Sequence, residues 1–183
     1  MDIREHFILM ADYNIRMNGQ IYDACTGLSA DKLSADRGAF FGSLLGALNH
    51  LVVGDLLWLA RFSVHSDRYH SLSNLSAWPT PQALDEILYA DLSSLVTVRT
   101  TLDRLIRQWL SEEVSVADFN RPLVYANSKG VVSERNFGEL VCHFFNHQTH
   151  HRGQITTLLS QENIDVGVTD FLIDIPDQFQ HSS

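Results

Sequence analysis

The sequence predicts an all-α fold, a four-helix bundle built as one domain over residues 1–183. Four long stretches carry apolar residues at helical spacings of three and four, and no series of alternating, strand-like segments separates them. The length of 183 residues, with 45% hydrophobic side chains, suits one substantial core and leaves little room for a second. No fixed-period repeat or low-complexity tract interrupts the pattern.

The first helix is expected over residues 3–27, where Phe7, Met10, Met17 and Ile21 form one stripe and Gly27 marks the end. Asn14 shares that stripe, as a hydrogen-bonded core amide or as a residue near a pocket. The second helix is expected from about 40 to 63, with Phe41, Leu44, Leu45, Leu48, Leu51, Val52 and Leu56 on its apolar face. His50 lies within it, near Gly46, Ala47 and Gly54. Small residues there lower helix propensity but admit another backbone or a ligand. His50 therefore reads either as a hydrogen-bonded core histidine or as a metal ligand.

Residues 63–81, rich in Ser, Asn and Pro, predict a loop with a short helical turn in which His65 and His70 are surface residues. A third helix is expected to open at Thr80 or Pro81 and reach Leu110, carrying Leu84, Leu88, Leu95, Val98, Leu102, Leu105 and Trp109. Asp91 fills a gap in that stripe. An acid there requires a partner, which makes Asp91 a candidate to orient a histidine, bind an ion or act as a base, against a salt bridge or a watered niche. Arg99, Arg104 and Arg107 read as a solvated face. Residues 111–135 contain the extended-looking Leu123-Val124-Tyr125 and the turn residues 127–130, the signature of a short hairpin. The fourth helix is expected from Ser133 or Asn136 to about Ser160, with Gly167 as a turn residue beyond it.

The formal charge of -9 and a pI near 5.3 fit poorly with a phosphate-binding surface, so no nucleic-acid partner is expected. The N-terminus, MDIREHF, lacks the basic start and apolar run of a secretory signal, and no stretch reads as roughly 20 continuous apolar residues. These features predict a cytoplasmic protein without a membrane partner. Cys25 and Cys142 form no CxxC pair or disulfide framework, and Cys142 reads as a small buried side chain before a nucleophile or ligand.

The chemistry concentrates in HFFNHQTHH at 143–151, which holds four of the nine histidines. His143, His147 and His151 recur every four residues, each step drifting by about 40° around the helix. Neighbouring members can chelate one ion, but the drift hinders all three from meeting it. The usable pair is therefore His147 with His151, or His143 with His147. Gln154 falls near the same face and can hydrogen-bond to a ligand. The segment is not HExxH, because Gln148 stands where that motif has its glutamate base. Two imidazoles leave a coordination deficit that His50, on a facing helix, can fill.

The tract Asn146-His147-Gln148-Thr149-His150-His151-Arg152-Gly153-Gln154, together with His50 and Gly167-Val168-Thr169-Asp170, resembles the DinB/YfiT-like family of metal-dependent bacterial proteins, also called damage-inducible DinB proteins. The resemblance covers essentially the whole chain. It implies a four-helix bundle with up-down-down-up connectivity, a homodimer, and a metal triad of His50, His147 and His151. His143 and His150 become neighbours, Arg152 points away from the ion into packing or a salt bridge, and Tyr13 and Asn14 lie near the cavity.

Three neutral imidazoles leave a divalent ion at least one open position, as in catalytic sites. Such an ion lowers the pKa of a bound water or thiol. The ligand set permits zinc, nickel or iron; zinc comes first because imidazole suits it and it is redox-inert, with nickel as the alternative. Some relatives use a low-molecular-weight thiol, so the resemblance implies a thiol-dependent S-transferase acting on a small electrophile. A hydrolase that activates water, with Asp91, Asn14 or Gln154 positioning reactants, is the second reading. A stress-associated metal-binding or interaction protein without turnover is the third.

Overall fold

The computed structural model describes residues 2–127 and 129–179; residue 128, within the expected hairpin turn, lies outside them. The first helix, α1 (Ile3–Cys25), opens with a capping box in which Asp2 and Glu5 satisfy each other's backbone N–H groups. A short helix not expected from the pattern, α2 (Ala30–Ser34), is capped by Ser29. The second long helix, α3 (Leu44–Phe62), starts several residues later than expected because Ser43 takes the N-cap and accepts from the Gly46 amide. The Ser- and Asn-rich stretch holds the single turn α4 (His70–Ser73), continued by a 3-10 turn at Asn74–Ala77. Then come α5 (Leu92–Gln108), which ends in a π turn at Trp109–Glu113, and α6 (Phe137–Gln161), capped by Asn136. The expected hairpin forms between β1 (Pro122–Ala126) and β2 (Val132–Asn136), antiparallel, with Pro122 opposite Asn136 and Ala126 opposite Val132.

The result is an all-α architecture with one small hairpin. Helix α1 packs on α5 and α6, and α3 packs on the same two helices from the other side. Between them lie Phe7, Met17 and Ile21 of α1, Leu48, Leu51 and Leu59 of α3, Leu95, Leu102 and Ile106 of α5, and Phe144, Ile155 and Leu159 of α6, all buried. Each such side chain contributes about 1.5–3 kcal/mol through burial.

The third helix differs most from expectation. Residues 81–91 are not helical, and Asp91 is the N-cap of α5, accepting from the Ser94 amide at 2.9 Å and from the Ser93 and Ser94 hydroxyls. Those bonds hold its pKa down to about 2. Asp91 is thus an exposed capping residue, not an acid on a core stripe. The segment before it is held against α3 instead of coiling. Asn49 accepts from the Tyr89 amide and donates to the Tyr89 carbonyl, both at 2.9 Å, while the Leu84 carbonyl is engaged by His50.

Arg99 also departs from the expected solvated face: it is buried to 2% exposure. It sits four residues after Leu95 and three before Leu102, squarely on the apolar stripe of α5. There it bonds Asp55 of α3 at 2.6 Å and Asp103 at 2.9 Å. Asp55 also accepts from Gln148 of α6, and Asp103 accepts from Asn18 of α1 at 3.0 Å. One buried polar chain therefore joins all four long helices. Burial pushes the Asp55 carboxyl up to about 6 against the opposing pull of Arg99. Burial also works against the Arg99 charge, but Asp103 and Asp55 outweigh it and hold the guanidinium above its ordinary pKa.

Cys25 is fully buried, whereas Cys142, expected to be buried, is exposed on the outer side of α6 with Glu139 and His143. His65 is half-buried, stacked on Phe137 with ring centroids 4.0 Å apart. Helix α3 is, among the described residues, long and apolar enough to cross a membrane, but 72% of that window is buried inside the fold. Its apolarity is that of a helix with neighbours on several sides.

The segment after α6 returns along α1. Arg16 binds Asp174 at 2.6 Å and the Val168 and Asp170 carbonyls, and the Tyr13 hydroxyl donates to the Thr169 carbonyl. The tract 167–170 is in this way a strap along α1.

A second polar cluster ties the loops to the core. Asp118, 2% exposed, accepts from the Ser115 amide and hydroxyl and from Arg68 and Arg121. Burial opposes its charge, yet these bonds prevail and hold its pKa below the ordinary carboxylate value. A depressed folded-state pKa contributes stability above the unfolded value, near 3.9, that is lost as pH falls through the folded value. We expect Asp118→Asn to cost about 2 kcal/mol at neutral pH. Urea unfolding at descending pH should show the gap between wild type and variant closing in acid.

Candidate metal centre

Helix α3 presents His50 toward α6, which presents His147 and His151 from successive turns. The Nε2 atom of His50 lies 3.0 Å from that of His147 and 3.2 Å from that of His151. These are the three residues among the described His, Cys, Asp and Glu side chains whose ligand atoms cluster closely enough to hold one metal ion.

The outer nitrogens fix what the inner ones offer. The Leu84 carbonyl can only accept, so the Nδ1–H of His50 donates to it at 2.8 Å. The Nδ1–H of His151 donates in the same way to Gln154 Oε1 at 2.8 Å. Each imidazole then carries its one proton on the outside and a bare lone pair on Nε2. Facing lone pairs at such distances repel unless a cation stands between them. For tetrahedral zinc with nitrogens at about 2.0–2.1 Å, neighbouring donors lie about 3.3 Å apart. The residues present therefore fit a divalent ion.

Burial sets the protonation. It lowers the pKa of His50, against the pull of the Leu84 hydrogen bond, and lowers that of His151 against the bond to Gln154. His147 is driven down to about 3, first by burial and then by the two neighbouring imidazoles. All three rings are neutral at ordinary pH, the form that coordinates metal.

Several parts of this setting escaped the sequence. Phe41 is outside the helix and stacks on the His50 ring, centroids 3.7 Å apart and 18° between planes. Phe40, 86% exposed, sits edge-on to Phe41 beside it. Gln154 supports His151, not the face of His147, and also donates to His150 at 3.2 Å. Gln148, which stands where HExxH proteins have a base, turns into the core to Asp55. The small residues near His50 serve neighbouring chain: Gly46 admits the Phe41 backbone, and Gly54 gives room to His147.

A methyl group at Gly54 would stand 2.8 Å from His147 Cε1. Alanine favours the helix by about 1 kcal/mol over glycine. We therefore expect Gly54→Ala to keep the fold while displacing the ring, so that zinc affinity measured by chelator competition falls without loss of helical circular dichroism.

The remaining candidates lie around this centre. His143 and His150 are exposed; the His143 ring centroid is 6.2 Å from that of His147 and 5.1 Å from that of Trp58. Arg152 is buried against the Tyr13 ring, its charged carbon 5.1 Å from the centroid, donates to the Thr149 hydroxyl at 3.3 Å and has no salt bridge among the described residues. Asn14 is buried, and its Oδ1 has no hydrogen-bond partner among the described residues. Asp91, capping α5, is removed as a base for chemistry at the centre.

The chain is 26% identical over 162 residues to Protein DinB of Bacillus subtilis (strain 168), spanning 87% of this chain and 88% of that one. No solved structure matches significantly. The model of the DinB family matches residues 3–180, and the chain belongs to that family.

Proposed function

We propose that the protein is a divalent-metal-dependent enzyme in which His50, His147 and His151 hold the ion, zinc first and nickel second. The observation that carries this reading is the convergence of three Nε2 atoms with no fourth His, Cys, Asp or Glu joining them among the described residues. A structural zinc site is closed by four protein ligands, whereas a catalytic one keeps a position for substrate. When bound, the ion supplies Lewis acidity that favours the deprotonated form of a water or thiol.

The chain's own residues supply positioning. Leu84 and Gln154 hold two rings in one tautomer, and Phe41 covers one face of His50. With Asp91 engaged as a cap, no carboxylate joins the histidine group to act as a base. That favours a nucleophile that needs only a lowered pKa, so a low-molecular-weight thiol, transferred to a small electrophile, is the preferred cosubstrate over water. Up-down-down-up helix connectivity, a homodimer and action in the cytoplasm belong to the same reading.

The test is titration of the cobalt-substituted protein with a panel of small thiols. A sulfur-to-cobalt charge-transfer band, followed by consumption of an electrophile such as 1-chloro-2,4-dinitrobenzene, supports S-transfer. Metal binding with no thiol band and no turnover favours a metal-binding protein without this activity.

A further inference from the structure

Spacing on α6 leaves two imidazole pairs able to chelate, His147 with His151 or His143 with His147, and the fold brings the first pair to His50. The seam between α3 and α6 carries the reason. His50 meets His151, with Nε2 atoms 3.2 Å apart; Gly54 makes room for the His147 ring; and Trp58 meets His143, with ring centroids 5.1 Å apart. Each pair lies one turn further along α3 and one turn back along α6. The two helices therefore run antiparallel, in a ladder whose rungs are one turn apart.

The histidines alone do not fix that register. A slip of α6 by one turn would bring His147 to His50 and His143 to Gly54, so that two imidazoles still faced the third. The apolar face of α6 repeats at the same interval. The slip would put Leu140 in the place of Phe144, Val141 in that of Phe145 and Ile155 in that of Leu159, all buried apolar side chains. Such exchanges cost packing but strand no polar group.

One rung has no substitute. Next to Gly54 and His147, the wholly buried Asp55 accepts from the amide of Gln148, also wholly buried. After the slip Phe144 would stand there, and a buried carboxylate would lose a donor to a ring. A slip the other way would set Ile155 opposite His50 and remove a ligand. A buried polar pair satisfied in one alignment alone is a well-attested device for fixing the register of packed helices.

We propose that Gln148 is a positioning residue of the metal centre. Its bond to Asp55 holds α6 against α3 in the alignment that gives His50 the pair His147 and His151, and it excludes the alignment that would use His143. The proposal rests on the reading of His50, His147 and His151 as one ligand set. Gln148 thus has a part in metal binding while turned away from the ion.

Two arms test it, and neither reads turnover. In the first, zinc affinity is measured by chelator competition in Gln148→Leu, alone and combined with His143→Ala or His151→Ala. Gln148→Leu should lower affinity about tenfold, the scale of losing a supporting partner. In that background His143→Ala should lower affinity further, and His151→Ala should cost less than in the wild-type background, because part of the protein then uses the other pair. The exchange of Asp55→Asn with Gln148→Glu keeps an amide donating to a carboxylate across the same rung, and should restore both affinity and indifference to His143→Ala. Gln148→Asn, an amide one methylene shorter, should give the same ordering with a smaller shift, and serves if the leucine variant loses its helical circular dichroism. Wild-type affinity in the Gln148 variants, or a fall that leaves His143→Ala without effect, overturns the proposal.

In the second arm, the metal-free protein is followed by nuclear Overhauser contacts between rings. The wild type should link His50 to His151 and Trp58 to His143. Gln148→Leu should weaken both links and gain one from His50 to His143. An unchanged pattern overturns the register role even where zinc binds. The shifted pattern in a protein that binds no zinc upholds it, and the metal reading then fails alone.

Discussion

Replacing His147 or His151 by Ala is expected to weaken zinc binding by more than the 10–100-fold, roughly, that loss of a supporting partner costs, while far-UV circular dichroism keeps the helical signal. The rings are the donors, and α6 does not depend on them to fold: its buried face is built from Phe144, Phe145, Ile155 and Leu159. Gln154→Leu, which frees the His151 ring, should give the smaller effect, on the order of 10-fold. His143→Ala and His150→Ala should leave affinity nearly unchanged. The pH dependence follows from the depressed pKa values. Ligands lose metal as they protonate, so affinity falls with falling pH. Because burial holds these imidazoles below the ordinary value near 6.5, that fall sets in at lower pH than for exposed histidines. Competition with a chromophoric chelator measures all of this, and unchanged affinity in His147→Ala contradicts the ligand assignment.

The largest effect on stability is expected from Arg99→Met, at about 3–5 kcal/mol, because it leaves Asp55 and Asp103 buried without their cation. Asp55 is wholly buried and Asp103 is 6% exposed, so water cannot take over. The loss should depend on pH in a defined direction. An acid whose folded pKa lies above its unfolded pKa destabilises the fold as pH rises through that interval, so the variant should recover stability on acidification. Adding Asp55→Asn to Arg99→Met should restore part of the loss, because the two side chains interact directly. Urea denaturation of the two variants at several pH values checks both statements. Strict additivity would mean that the Arg99–Asp55 contact carries no coupling.

Much of this was legible in the residues, and the failures share a cause. Helices α1, α3 and α6 followed from apolar periodicity, and the hairpin from its turn residues, because a repeating pattern averages over many positions. The segment 81–91 carries the same leucine spacing and is not helical. Its backbone partners are Asn49 and His50 of α3, and no local pattern encodes a partner more than thirty residues away. Arg99 was misplaced because arginine is ordinarily exposed. Its position between Leu95 and Leu102, with Asp103 one turn on, was the available signal. At the centre, the spacing of His147 and His151 pointed to a chelating pair, and His50 entered through small neighbours and a family likeness. Phe41, the Leu84 carbonyl and the berth at Gly54 depend on which chain segments meet, which spacing alone does not contain.

The most direct measurement is anomalous diffraction at the zinc edge from crystals of the zinc-loaded protein. The account predicts one peak about 2.0–2.1 Å from the Nε2 atoms of His50, His147 and His151, with the Nδ1 atoms of His50 and His151 still turned to Leu84 and Gln154. A peak at other side chains, or one that leaves His50 uncoordinated, contradicts it.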